Sequence, residues 1–94
     1  MLKKDTICVH PTRCPRPIHG SITTPIFQAA TFVHEAVDKE SEYSYSRVQN
    51  PTRAALEARI AELEGGVDSV AFASGMAAET ALMNIFESSG HIIA

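Results

Sequence analysis

The sequence lacks the features that mark several large classes of protein. It has no apolar run of membrane-spanning length, and its 8 Lys and Arg against 11 Asp and Glu give a net charge of -3. Nucleic acid is therefore disfavoured as a partner, and no membrane association is predicted. The basic pair Lys3-Lys4 is not followed by the apolar core of a signal peptide, so we expect a cytoplasmic protein.

Cysteine is also scarce. Cys8 and Cys14 lie six positions apart in a stretch rich in proline. A zinc site usually has more closely spaced Cys pairs and a second pair of ligands, and a disulfide requires an oxidising compartment. We predict two free structural thiols, with metal binding as the alternative.

Three common catalytic signatures are missing as well. Neither Ser46 nor the histidines have a partner set for a hydrolase triad, there is no Walker-type lysine loop, and the glycines do not form a dinucleotide-binding fingerprint. These enzyme classes are disfavoured.

The length of 94 residues corresponds to one small domain, which buries a low share of its surface. Pro11, Pro15 and Pro17 argue against regular helix in the first 24 or so residues and predict an extended arm. Such an arm has little core of its own. We therefore expect it to need a partner surface.

A helix is predicted from about Pro51 to Glu64. Asn50 can cap it, proline suits its first position, and Gly65-Gly66 can end it in left-handed geometry. The apolar residues Leu56, Ile60 and Leu63 recur at helical spacing and predict the buried face. Arg53 and Glu57 are expected to pair on the outer face, and Ala54, Ala58 and Ala61 permit close packing.

The remainder predicts a strand, a helix and a second strand. Residues 69–73 form a short apolar run typical of a strand buried in a parallel sheet, a helix is expected from about Met76 to Glu87, and residues 91–94 begin another strand. Ala78, Leu82, Ile85 and Phe86 are expected on the inner side of that helix. This order is a crossover unit of an α/β fold, which the sequence leaves incomplete.

Two segments suggest binding of a phosphate group. Tyr45 and Arg47, two residues apart on an extended segment, would project on the same side and offer a hydroxyl and a planar guanidinium. Ser74, Gly75 and Met76 would form a turn between strand and helix, where free backbone N-H groups and the helix dipole favour an anion. Many such turns contain Ser and Gly for structural reasons alone, and Tyr43 is a second candidate for the phenol.

Both segments, together with residues 19–20 and 25–32, resemble the trans-sulfuration (Cys/Met metabolism) family of pyridoxal-phosphate (PLP) enzymes. This family includes cystathionine gamma-synthase, cystathionine and methionine gamma-lyases, and O-acylhomoserine sulfhydrylases. The resemblance implies the start of a fold type I (aspartate-aminotransferase-like) large domain, with an interface arm over residues 1–49 and the incomplete PLP-binding domain over 50–94.

The resemblance also implies site residues and partners. The backbone amides of Gly75 and Met76 would bind the cofactor phosphate, and Tyr45 and Arg47 would reach the phosphate of a neighbouring subunit in a homodimer or tetramer. Asn50-Pro51-Thr52 would be structural. The substrates implied are sulfur-containing or O-acylated amino acids.

One requirement of PLP chemistry of this type has no counterpart. The family binds the cofactor covalently through a lysine, but Lys3, Lys4 and Lys39 all precede the matched phosphate site. The competing hypotheses are therefore an inactive remnant or interaction piece and a relative such as an aminotransferase, which would share the small-residue turn only.

Overall fold

In the part of the chain that the structure describes, three helices carry the fold. A computed structural model describes residues 3–9, 18–39, 41–86 and 88–93. The helices are α1 (Lys4–Val9), α2 (Pro51–Glu64) and α3 (Gly75–Met83), with a 3₁₀ turn over Ile18–Gly20. Within the described ranges, strand pairing is limited to one isolated antiparallel bridge between Thr31 and Tyr45.

The predicted bounds and caps of α2 are confirmed. The Asn50 side chain accepts a hydrogen bond from the Thr52 amide at 2.8 Å, and Pro51 occupies the first turn, where a missing N-H costs nothing. Gly65 ends the helix at φ 69°, a left-handed conformation that glycine adopts without strain.

The predicted buried face of α2 is wrong. Leu56 and Ile60 are 53% and 44% exposed, whereas Ala55 and Ala61, on the other side of the helix, are buried. Helix α1 packs against α2, where the Arg59 side chain reaches Cys8, and Ile7 of α1 is buried. The buried positions of α2 are Pro51, Ala55 and Ala61, so the covered positions carry small side chains and the larger apolar ones stay exposed.

The presence of α1 corrects the prediction of a wholly extended arm. The three prolines follow Val9, so they do not restrict the backbone of residues 4–9. The Arg59 side chain donates to the carbonyl oxygen of Cys8 at 2.7 Å and satisfies one of the last carbonyls of α1. Cys8 is an exposed free thiol, and Cys14 and the prolines lie outside the described residues.

The two predicted strands are also corrected. Residues 69–73 and 91–93 have no ladder partner in the described part of the chain. A parallel strand exists only through hydrogen bonds to a neighbouring strand, and here the Ala71 amide donates instead to the Glu57 carboxylate at 2.9 Å. In the described residues, the predicted α/β crossover therefore consists of one helix, α3, between two segments that have no strand partner.

Helix α3 is shorter than predicted and more exposed. It ends at Met83, with Asn84 at its C-terminus, and the predicted end at Glu87 lies outside the described residues, as does Ala94. Leu82, Ile85 and Phe86, expected on its inner side, are 51%, 76% and 49% exposed. None of the residues of α3 is buried.

The chain has an open shape for its length. Its radius of gyration is 16.7 Å, against about 12 Å for a compact domain of this size. Its accessible surface is 8214 Å², where a closed fold of this mass would expose about 5300 Å². In the described ranges, no helix is both long and apolar enough to cross a membrane.

Candidate functional site

The segment with Tyr45 and Arg47 is held against residues 25–32. The Phe32 amide donates to the Ser44 carbonyl at 3.0 Å, and the Ser46 amide donates to the Ala30 carbonyl at 2.9 Å. These two bonds flank the antiparallel bridge between Thr31 and Tyr45. Backbone pairing therefore fixes the position of Tyr45.

Asn50 and Thr52 tie the same two segments to the start of α2. The Asn50 amide nitrogen donates to the Phe27 carbonyl at 3.2 Å and to the Ser46 hydroxyl at 3.0 Å. The Thr52 hydroxyl accepts from the Phe27 amide at 2.8 Å and donates to the Pro25 carbonyl at 3.3 Å. The predicted structural role of Asn50-Pro51-Thr52 is confirmed. The cross-links to Pro25 and Phe27 were missed, because sequence spacing does not show which distant carbonyls lie nearby.

Tyr45 and Arg47 contact each other. The Arg47 guanidinium donates from Nη2 to the Tyr45 hydroxyl at 2.8 Å, and its central carbon lies 5.0 Å from the centre of the tyrosine ring. This is cation–π distance. We call these two residues the Tyr–Arg pair.

A turn, not an extended segment, brings the pair together. The amides of Val48 and Gln49 both donate to the Tyr45 carbonyl at 2.9 Å, which closes a helical type of turn directly after Tyr45. The prediction of one extended segment through both Tyr45 and Arg47 is therefore wrong, since the turn begins after Tyr45. Arg47 is exposed, and its remaining N-H groups are available to an oxygen ligand.

Tyr43, the other candidate phenol, has a different environment. Its ring packs on Phe32 with centroids 5.8 Å apart. Burial, and then the neighbouring Glu42 carboxylate, raise the pKa of Tyr43 above its ordinary value. Tyr43 is thus placed in a small aromatic contact, and Tyr45 holds the guanidinium.

The Ser74–Met76 turn begins α3. The Ser74 hydroxyl accepts from the Ala77 amide at 3.2 Å and caps the helix. Among the described residues, no acceptor bonds the amides of Gly75 and Met76, the first two residues of the helix. A side chain at Gly75 would meet no protein atom within 4 Å, so the turn is open to a ligand.

The pair and the turn are separate in one copy of the chain. Within the ranges that the structure describes, no hydrogen bond or ion pair joins Tyr45 or Arg47 to residues 74–76. Each half offers donors without a negative group opposite: a guanidinium fork in one and two backbone amides in the other. Both can bind a phosphate oxygen, and neither contains a proton acceptor suited to catalysis.

Comparison with known proteins assigns the family. Residues 5–94 match the family described as Cys/Met metabolism PLP-dependent enzyme. The chain belongs to this family. It is 41% identical over 92 residues to cystathionine gamma-lyase from Bacillus subtilis, and 39% identical over 101 residues to O-acetyl-L-homoserine sulfhydrylase from Leptospira meyeri. These matches each cover 98% of the chain, but 24% and 23% of the two relatives.

The fold agrees with a solved member of the family. Cystathionine gamma-lyase from Lactobacillus plantarum, crystallised with L-serine, superposes with a TM-score of 0.80 and 40% identity. The superposition covers 90% of this chain and 22% of the lyase. The chain thus spans about a quarter of the length of the relatives it matches.

The residues present fit one part of the family's cofactor. The family is PLP-dependent, and the two unbonded amides at the start of α3 suit the phosphate group of PLP. Lys39 pairs with Glu35 in an exposed loop. The described residues therefore include two backbone amides that fit a phosphate group.

Proposed function

We propose that the chain is the N-terminal part of a fold type I trans-sulfuration enzyme, where it binds the cofactor phosphate and forms part of the dimer interface. The intact protein would be of the cystathionine gamma-synthase, gamma-lyase or O-acylhomoserine sulfhydrylase type. Its substrates would be sulfur-containing or O-acylated amino acids. Residues 1–49 would be the interface arm, and 50–94 the start of the PLP domain.

The open turn at the start of α3 is the observation that carries this proposal. Ser74 uses its hydroxyl to satisfy the third amide of the helix and leaves the amides of Gly75 and Met76 for a ligand. The helix dipole adds to their attraction for a negative charge. When bound, PLP supplies an electron sink for reactions at amino-acid carbons.

The Tyr–Arg pair would complete the phosphate site of a neighbouring subunit. The Tyr45 hydroxyl accepts one Arg47 N-H and fixes the direction of the fork, while the aromatic ring supports the guanidinium plane. The absence of a bond between Arg47 and residues 74–76, among the described residues of one chain, leaves the pair available to a second copy.

A titration of the isotope-labelled chain tests phosphate binding. Inorganic phosphate or PLP should move the amide resonances of Gly75 and Met76. The start of α2 is an internal control, because its Thr52 amide is already bonded to Asn50 and should not move. Equal movement at both helix starts, or at neither, would refute a phosphate site at α3.

Gly75→Ala separates binding from folding. A methyl group there meets no protein atom within 4 Å, and alanine favours helix over glycine by about 1 kcal/mol. The variant should therefore keep its helix content while phosphate binding weakens, because the methyl group narrows the approach to the amides. Unchanged phosphate binding would place the anion elsewhere.

The open shape favours one alternative, an interaction piece without activity of its own. Leu56, Ile60 and Phe72 are each more than two-fifths exposed, which is unusual for large apolar side chains in a self-sufficient fold. Reduction of a mixture of the chain and PLP with borohydride, followed by peptide mapping, tests this. Stoichiometric labelling of one lysine with turnover would exclude the alternative.

A further inference from the structure

An ion pair on α2 contacts both segments that carry the proposed phosphate ligands. Arg53 Nη2 donates to the carbonyl oxygen of Val48, in the turn that contains Arg47. Arg53 Nε lies 3.5 Å from Glu57 Oε1, one helical turn further on. The same carboxylate oxygen accepts the Ala71 amide at 2.9 Å.

Glu57 binds the second segment twice. Besides the carboxylate contact to Ala71, its backbone carbonyl accepts the Ser69 hydroxyl at 2.7 Å. Ala71 lies three residues before Ser74, the N-cap of α3. Residues 71–73 have no strand partner in the described part of the chain. Glu57 therefore provides the contact that a neighbouring strand would otherwise make.

The pair differs from an ordinary surface ion pair of the same spacing. Glu35 and Lys39 are also four residues apart, but their side chains are 73% and 66% exposed. The side chains of Arg53 and Glu57 are 35% and 19% exposed. Exposed pairs contribute little to stability, whereas a half-buried pair with additional backbone partners holds those partners in place.

We propose that Arg53 and Glu57 are positioning residues that set the Ser74–Met76 turn relative to the Tyr–Arg pair. The effect of these two residues on phosphate binding rests on the proposed function, but their effect on the two turns does not. Arg53 fixes the turn after Tyr45, Glu57 fixes the segment before Ser74, and their mutual contact joins the two. Neither residue touches the phosphate ligands themselves.

The test uses the full chain, isotope-labelled, with Glu57→Ala, Glu57→Gln and the matched control Glu35→Ala. In Glu57→Ala the Ala71 amide loses a charged acceptor, so its hydrogen exchange should accelerate about tenfold. The amide resonances of Val48 and Gly75 should both move. Binding of inorganic phosphate at Gly75 should weaken about threefold or more, since the turn is less fixed; Glu35→Ala should change none of these.

Glu57→Gln distinguishes positioning from a general loss of structure. Its amide oxygen can still accept from Ala71, but the charge that attracts Arg53 is gone. Exchange at Ala71 should therefore stay near the wild-type rate while the Val48 resonance moves. If Glu57→Ala loses the helicity of α2, this milder variant decides.

The possible results separate the two proposals. Unchanged Ala71 exchange in Glu57→Ala, or equal effects from Glu35→Ala, would overturn the positioning role. Measurable phosphate binding of equal affinity in wild type and Glu57→Ala would also overturn it and leave the proposed function intact. If phosphate moves no amide in the wild type, but Glu57→Ala still frees Ala71 and shifts both turns, the positioning role stands and the phosphate site fails.

Discussion

Replacement of Arg47 tests the assignment of the Tyr–Arg pair to a neighbouring subunit. Arg47 donates one hydrogen bond from Nη2 to the Tyr45 hydroxyl at 2.8 Å, which leaves the other N-H groups of the exposed guanidinium for phosphate. A charged hydrogen bond is worth about 1.5–3 kcal/mol, so Arg47→Ala should weaken PLP binding about ten- to hundredfold. Arg47→Lys keeps the charge but loses the fork, and should fall between alanine and wild type.

The assay requires a complete enzyme. Residues 1–94 can replace the aligned segment of the Bacillus subtilis lyase, since 98% of the chain aligns with it. Affinity for PLP is then measured by absorbance of the bound cofactor, with Lys39→Ala as the control that removes one positive charge elsewhere. Lys39 pairs with Glu35 in an exposed loop, so its loss should leave the affinity unchanged.

Two mixed dimers decide which subunit Arg47 serves. In the first, one subunit carries Arg47→Ala and the other lacks the lysine of the relative that binds the cofactor. If Arg47 acts across the interface, one site combines an intact lysine with an intact Arg47, and about half of the activity remains. In the second dimer both changes are in one subunit and the partner is wild type, so action across the interface leaves no intact site.

The opposite pattern would refute the assignment. If Arg47 serves its own subunit, the first dimer has no intact site and the second keeps about half of the activity. Unchanged PLP affinity in the simple Arg47→Ala chimera would refute any contact between Arg47 and the phosphate.

Three further predictions concern the chain itself. Asn50→Ala removes a helix cap and two further hydrogen bonds, so it should lower the free energy of unfolding by about 2–3 kcal/mol. Asn50→Asp keeps the cap and should lose less. Urea denaturation followed by circular dichroism measures both variants, and equal losses would contradict the role of the cap. The variant Tyr45→Phe leaves Tyr43 as the single phenol of the chain, and its absorbance should titrate above the ordinary pKa of 10.0, because burial and Glu42 favour the neutral form. The neutral Tyr43 therefore adds to the stability of the fold below pH 10, and this addition is lost as the pH rises through the higher pKa of the folded state. A titration midpoint at or below 10.0 would contradict the prediction. The isolated chain should self-associate through exposed residues such as Leu56 and Ile60, and a species that remains monomeric in ultracentrifugation at high concentration would count against this.

Local signals in the sequence predicted the local structure well. The bounds of α2 follow from Asn50, Pro51 and Gly65, whose effects on the backbone depend on few neighbours. The start of α3 at the Ser74 cap was likewise predicted to within one residue. A helix cap bonds to backbone groups only a few residues away, so the local sequence is enough to predict it.

Features that depend on distant partners could not be predicted in the same way. The periodic pattern of Leu56 and Ile60 indicates an apolar face, but which face is covered depends on what packs there, and the buried positions of α2 are Pro51, Ala55 and Ala61. Similarly, the contact of Glu57 with Ala71 spans 14 positions and has no signature in the spacing of residues.

The antiparallel pairing beside Tyr45 determines which substitutions its residues can accept. The bonds from Phe32 to Ser44 and from Ser46 to Ala30 involve backbone atoms alone. Natural variants can therefore exchange the exposed side chain of Ala30 without redirecting Tyr45. Proline at 32 or 46 would remove the donating N-H and break the corresponding hydrogen bond, so these two positions exclude proline while Ala30 accepts other side chains.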